Sequence, residues 1–243
     1  MKRTFITGTP RTGSMWTYNV TRALLESVGK TILPEEIPIH KKGEAKAIRE
    51  ASASDPAENS VYLIKTHLFL KNDLPETKII TNYRDVRDTM ISFIKFMQME
   101  NVDNFFEVAK LILSDHMKGT DHFFEKHSNN LRIRFSDMTS DPVRVIKSID
   151  NYLELNAEED QILQIKENFS KERVSKLIEK LNKVPVSDQG QIYGEENINA
   201  YQLLRGPDGR YRVLDNETRF QTNHITSKKE GEWIEYFLSL IHI

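Results

Sequence analysis

The sequence predicts an α/β protein of three layers, a central parallel sheet flanked by helices. Three observations carry that expectation: short β-rich runs alternate with segments of helical period, the first run ends in a glycine-punctuated loop that opens a helix, and neither an internal repeat nor a low-complexity tract breaks the pattern. Strands that alternate with helices form parallel sheets covered on both faces, and ligands then gather at the carboxyl ends of the strands.

Residues 3–7 form the first predicted strand. Residues 17–30 carry Val20, Ala23, Leu24 and Val28 at helical spacing and stop at Gly29, where a left-handed cap is inexpensive. Residues 31–60 are rich in Pro, Lys and Glu with weak periodicity, interrupted by a short exposed helix over 43–53. Residues 61–65, 77–82 and 131–135 are further strands, making four. Helical patterns over 85–97, 102–127 and 142–153 separate them, and 158–181 continues as a charged helical annex over one sheet edge. Residues 182–223 are loop-like, with Gly206-Pro207-Asp208-Gly209 as a turn between Leu203-Leu204 and the run 211–214. The part from about 184 to 223 reads as a C-terminal lid or substrate loop, with disorder as the alternative. A last helix spans roughly 232–240.

A length of 243 residues suits one domain over 1–243. The net charge of -2 supplies no overall cationic field for nucleic acid or anionic membrane, so an anion site must be local. No apolar run reaches the roughly 18 residues of a membrane span, and Met1-Lys2-Arg3 runs straight into a strand rather than a signal-peptide core. A cytoplasmic protein without nucleic-acid or membrane partners is expected; oligomeric state is not legible. The absence of cysteine excludes disulfides, thiolate catalysis and Cys-ligated metal, leaving oxygen, nitrogen and imidazole chemistry.

The chemistry centres on Thr9-Pro10-Arg11-Thr12-Gly13-Ser14-Met15-Trp16, between the first strand and the first helix. A loop there aims backbone N–H groups and a helix dipole at one point, which favours an oxyanion. Gly8 and Gly13 have Walker A spacing, but Ser14 stands where that motif needs Lys and Met15 where it needs a Mg²⁺-binding hydroxyl. The fold is therefore P-loop-like without the usual ATPase equipment, and Arg11 is the loop's one cation. An ordinary strand-to-helix turn reads equally well from this loop alone.

Lys65 and His67 close the second of these strands, and alternation lets both point into one cleft. A histidine near neutrality suits proton removal from a hydroxyl or amine, and a neighbouring ammonium would stabilise developing negative charge. Arg84 and Ser92, after the third strand, can grip a phosphate by a charged fork and a hydroxyl, with Asp85 and Asp88 supporting the helix start. Each of these also has a plainer reading as a strand-end or surface residue. His116, His122 and His127 read as a solvated helix face rather than a metal site, and Met90, Phe93, Phe96, Met97, Phe105 and Phe106 as core.

Together these motifs resemble those of the cytosolic-type sulfotransferases, which use 3'-phosphoadenosine 5'-phosphosulfate (PAPS) and release its desulfated product 3',5'-ADP (PAP). The loop 9–16 is similar to the family's 5'-phosphosulfate loop, Lys65-Thr66-His67-Leu68 matches its catalytic run, and Arg84, Asp88 and Ser92 resemble its 3'-phosphate clamp. Phe135-Ser136-Asp137-Met138 with Asp141-Pro142, and Gly231-Glu232-Trp233 with Phe237, are weaker matches. The resemblance implies His67 as base with Lys65 and Arg11 offsetting charge. It also implies a donor site of Arg11, Thr12, Gly13, Ser14, Met15, Trp16, Arg84 and Ser92, with Trp16 a face for adenine, a small-molecule acceptor and no metal.

The sequence departs from the family at three places. Arg11 replaces the common loop Lys, Phe135 replaces a Tyr whose hydroxyl contacts the donor, and Thr226-Ser227-Lys228 falls where Arg-Lys-Gly is usual. Lys228 is carried over, with Ser227 and Lys229 as substitutes. The rival readings are an atypical P-loop kinase or hydrolase, and a non-catalytic nucleotide-binding protein on the same fold.

Overall fold

A computed structural model of the chain describes residues 1–35, 41–67, 76–85, 88–89, 92–93, 130–183, 204–205 and 211–212. β1 (Arg3–Gly8) leads into α1 (Ser14–Ser27), followed by β2 (Thr31–Leu33), α2 (Lys41–Ala53), β3 (Ser60–Lys65), β4 (Thr77–Tyr83) and β5 (Leu131–Arg134). Then come α3 (Phe135–Ser140), α4 (Pro142–Leu153), α5 (Glu159–Asn168) and α6 (Lys171–Lys183), with β6 (Leu204–Arg205) and β7 (Tyr211–Arg212) last. The first five strands pair in parallel in the order β2-β3-β1-β4-β5. β1 is thus central, with β3 and β4 on either side.

Side-chain alternation along the strands explains the layers. Ile6, Leu63, Ile80 and Ile133 share one buried cluster with α1 and α4 residues such as Leu24, Ile146 and Ile149. Phe5, Ile64 and Ile79 point the other way and pack with Ala47 and Ala51 of α2. A period of two in the sheet meets two helical layers, so the three-layer α/β expectation holds. Asp141 caps α4, accepting from the Arg144 N–H at 3.1 Å, with Pro142 in the first turn.

Several elements differ from the sequence reading. β2 is a fifth strand inside the stretch read as irregular; three residues are too few to show alternation, and pairing of Ile32 with Val61 carries it. α1 starts at Ser14, three residues before the expected position, because Gly13 at φ 93 already turns the chain into the helix. Phe135 opens α3 instead of ending a strand. The helix over 43–53 is not wholly exposed, since Ala47 and Ala51 are buried. The annex packs α5 on α1 and α4, on the helical layer rather than a sheet edge.

After β4, residues 88–89 and 92–93 are helical, and both the N–H and the hydroxyl of Thr89 donate to the Asp85 carbonyl at 2.9 Å. β6 and β7 pair antiparallel, and the turn expected at 206–209 lies outside the described residues. The rest of the 85–97 pattern, the helices expected over 102–127 and 232–240, His116, His122, His127, most of the lid at 184–223, and Ser227, Lys228 and Lys229 lie outside the described residues.

Candidate active site

Loop 9–13 leaves the central strand through Gly8, whose φ is 130 and where a Cβ would run into the Asn82 carbonyl of β4. Only glycine lets β1 and β4 approach this closely before the loop departs. The Thr12 hydroxyl donates to the Thr9 carbonyl at 2.7 Å and closes the turn. Arg11, a non-glycine residue, is held at φ 73, a conformation that costs on the order of 1–2 kcal/mol and that the surrounding loop imposes.

Ser14, Met15 and Trp16 form the first turn of α1, where backbone N–H groups lack intrahelical acceptors. The N-cap residue, Gly13, makes no side-chain cap hydrogen bond, and no acidic residue sits in the first turn. The side chains of Met15 and Trp16 lie against the larger core, and the indole N–H of Trp16 donates to the Phe169 carbonyl at 3.3 Å. Trp16 is thereby tied to the end of α5.

Across the β1–β3 boundary, His67 Nδ1 and the Gly8 carbonyl are 2.7 Å apart. A carbonyl only accepts, so Nδ1 carries a proton, and in the neutral form of the ring the lone pair is at Nε2. Lys65 Nζ lies 3.2 Å from that Nε2. Burial pushes the Lys65 ammonium below its ordinary pKa, while Glu44 of α2 pulls it back up. The same Glu44 accepts from the Thr66 hydroxyl at 3.3 Å, so α2 backs the Lys65-Thr66-His67 run from behind.

On the β4 side, Arg84 Nη1 donates to the Arg11 carbonyl at 3.4 Å, and Arg11 Nε donates to Ser92 Oγ at 3.1 Å. The loop after β1 and the segment after β4 are therefore joined at their edges rather than standing apart. The Arg84 guanidinium also lies over the Phe135 ring, 3.9 Å from its centroid. Arg11, Thr12, Gly13, Ser14, Arg84 and Ser92 are brought to one sheet end, with Lys65 and His67 beside them.

A family model for the sulfotransferase domain matches residues 1–191. The chain belongs to that family. No curated protein matches the sequence significantly. The fold of this sulfotransferase domain is similar to that of mouse sulfotransferase SULT7A1 complexed with PAP, at 18% identity and a TM-score of 0.60, covering 98% of this chain and 84% of that one. It is also similar to retinol dehydratase in complex with androsterone and the inactive cofactor PAP, at 16% identity and a TM-score of 0.58, covering 98% and 80%. A retinol dehydratase complex with retinol and PAP gives 18% identity and 0.56, covering 97% and 81%.

Four features of this candidate site are not legible in the sequence. The Gly8 carbonyl as holder of the imidazole depends on strand order, which no local pattern encodes. The Glu44 link arises in a stretch with weak periodicity. The Arg11–Ser92 contact joins residues 81 apart in sequence. Phe135 was legible only as a departure from the family, while its place under Arg84 follows from the β4–β5 register.

Proposed function

We propose that this sulfotransferase domain moves a sulfuryl group from PAPS to a hydroxyl or amine of a small-molecule acceptor, with His67 as general base and no metal. The observation that carries the reading is the orientation of His67: the Gly8 carbonyl accepts from Nδ1–H, so Nε2, beside Lys65, is the nitrogen that would take a proton from the acceptor. The donor set fits a nucleotide phosphorylated at two positions. Arg84 reaches the Arg11 carbonyl, Arg11 reaches the Ser92 hydroxyl, and α1 begins at the same loop, a set of donors of the kind that binds phosphate oxygens.

Arg11 and the N–H groups of Gly13, Ser14, Met15 and Trp16 would hold the 5'-phosphosulfate end, and Arg84 with Ser92 the 3'-phosphate. Ser227, Lys228 and Lys229 are assigned to the same phosphate, and Trp16 to the adenine. When bound, PAPS supplies the sulfuryl group and departs as PAP. Lys65 faces the developing charge on the departing phosphate, and His67 takes the acceptor proton at Nε2. The contribution of the protein is positioning and fixed charge. The PAP held by the structural neighbours, and the retinol and androsterone in the retinol dehydratase complexes, support a nucleotide donor and a small acceptor.

Incubating the protein with ³⁵S-labelled PAPS and a panel of alcohols, phenols, amines and sugars tests this reading. Label should pass to at least one acceptor with the wild type and to none with His67→Ala. Equal transfer by both proteins would remove His67 from the role of base.

A further inference from the structure

β4 and β5 are in register with Tyr83 opposite Arg134, so the chain places Arg84 and Phe135 side by side as each strand ends. Phe135 is 5% exposed and Arg84 9%, and the guanidinium carbon stands 3.9 Å from the ring centroid. Such a desolvated stack is among the stronger cation–π contacts. The same ring borders the donor loop: a Cβ on Gly13 would come within 3.3 Å of Phe135 Cδ2 and would run into Met138 Cε. One turn along α3, Met138 Sδ is 3.5 Å from Thr17 Oγ1 and 3.6 Å from Asn82 Nδ2. The buried face of this short helix therefore touches the loop after β1, the start of α1 and the end of β4.

From this we infer that Phe135 is a positioning residue of the donor site, whose ring orients the Arg84 guanidinium and sets it relative to the Gly13 turn. The inference rests on the reading that Arg84 binds the 3'-phosphate. A phenyl face suits this task because it attracts the guanidinium without neutralising it, leaving the full positive charge for a phosphate. A carboxylate in the same place would fix the arginine but cancel the charge that the ligand needs.

Calorimetric titration of the wild type, Phe135→Leu and Phe135→Tyr with 3',5'-ADP and with AMP tests the inference. Phe135→Leu fills the space without a π face and is expected to lose about tenfold in affinity for 3',5'-ADP, with AMP affinity unchanged within about twofold. Phe135→Tyr keeps the ring and should bind 3',5'-ADP at least as tightly as the wild type. In an Arg84→Ala background, Phe135→Leu should cost nothing further. A wild type that prefers 3',5'-ADP, with the preference intact in Phe135→Leu, overturns the inference alone. A wild type that binds both nucleotides alike overturns the sulfotransfer reading and this inference with it. If Phe135→Leu does not fold, Phe135→Met takes its place with the same expected loss, and retention of the preference there overturns the inference.

Discussion

His67 Nδ1 donates to the Gly8 carbonyl at 2.7 Å, so the imidazole that follows β3 is oriented by the last residue of β1. The contact joins the ends of two neighbouring parallel strands. It makes the imidazole a fixed part of the sheet end, with Nδ1 held by the Gly8 carbonyl and Nε2 beside the Lys65 ammonium.

Removing the ring should abolish chemistry and spare binding. His67→Ala is expected to lower kcat by about 10²–10⁴-fold and to leave 3',5'-ADP affinity within about threefold. Steady-state kinetics with an accepted substrate, paired with calorimetry, checks both halves.

Arg84 carries a different signature. Arg84→Ala is expected to weaken 3',5'-ADP by about 10–100-fold, the cost of losing one charge-assisted contact to a phosphate, and to weaken AMP far less. Equal weakening of both would detach Arg84 from the 3'-phosphate. Arg84→Lys should recover only part of the loss, because an ammonium has no planar fork to lay on Phe135.

The pH dependence follows from Lys65. Burial lowers its folded-state pKa and Glu44 raises it in part. If the charged form supports transfer, the rate falls as pH rises through that lowered pKa, below the alkaline range of an ordinary lysine. Glu44→Gln removes the opposing pull, so the alkaline limb should move to lower pH. For stability the sign is opposite in sense: a lysine depressed in the fold is a burden at low pH that lifts as pH rises from the folded toward the unfolded pKa. A Glu44→Gln profile that coincides with wild type would show that Lys65 does not titrate in this range.

Two glycines separate conformational strain from collision. Gly29 is at φ 76, and no atom of the described residues lies within 4 Å of where a Cβ would sit, so Gly29→Ala should cost about 1–2 kcal/mol, or roughly 2–8 °C in Tm for a chain of this size. Gly8→Ala adds a backbone collision with Asn82 and should cost at least about twice as much. Thermal denaturation of the two variants, side by side, reads the difference.

What the sequence disclosed and what it withheld have separate physical causes. β1, β3 and β4 were legible because their β-rich runs are bounded by loop residues, and α4 because Asp141-Pro142 and its apolar stripe mark start and face. β2 was not, since a three-residue edge strand depends on its partner β3 more than on its own residues. The candidate site was readable as types and order: a glycine loop, a Lys-x-His strand end, an Arg before a helix. Its connections were not readable. That Gly8 would hold His67, that Glu44 would back Thr66, and that Phe135 would lie beneath Arg84 are consequences of which strands are neighbours, a property of the whole sheet.

The central claim, a donor site that recognises a nucleotide phosphorylated at both 3' and 5' positions, is tested most directly by titrating the wild type with 3',5'-ADP and with ordinary ADP. The account predicts tighter binding of 3',5'-ADP by at least about tenfold, or about 1.4 kcal/mol. Equal affinities, or a preference for ADP, would contradict it.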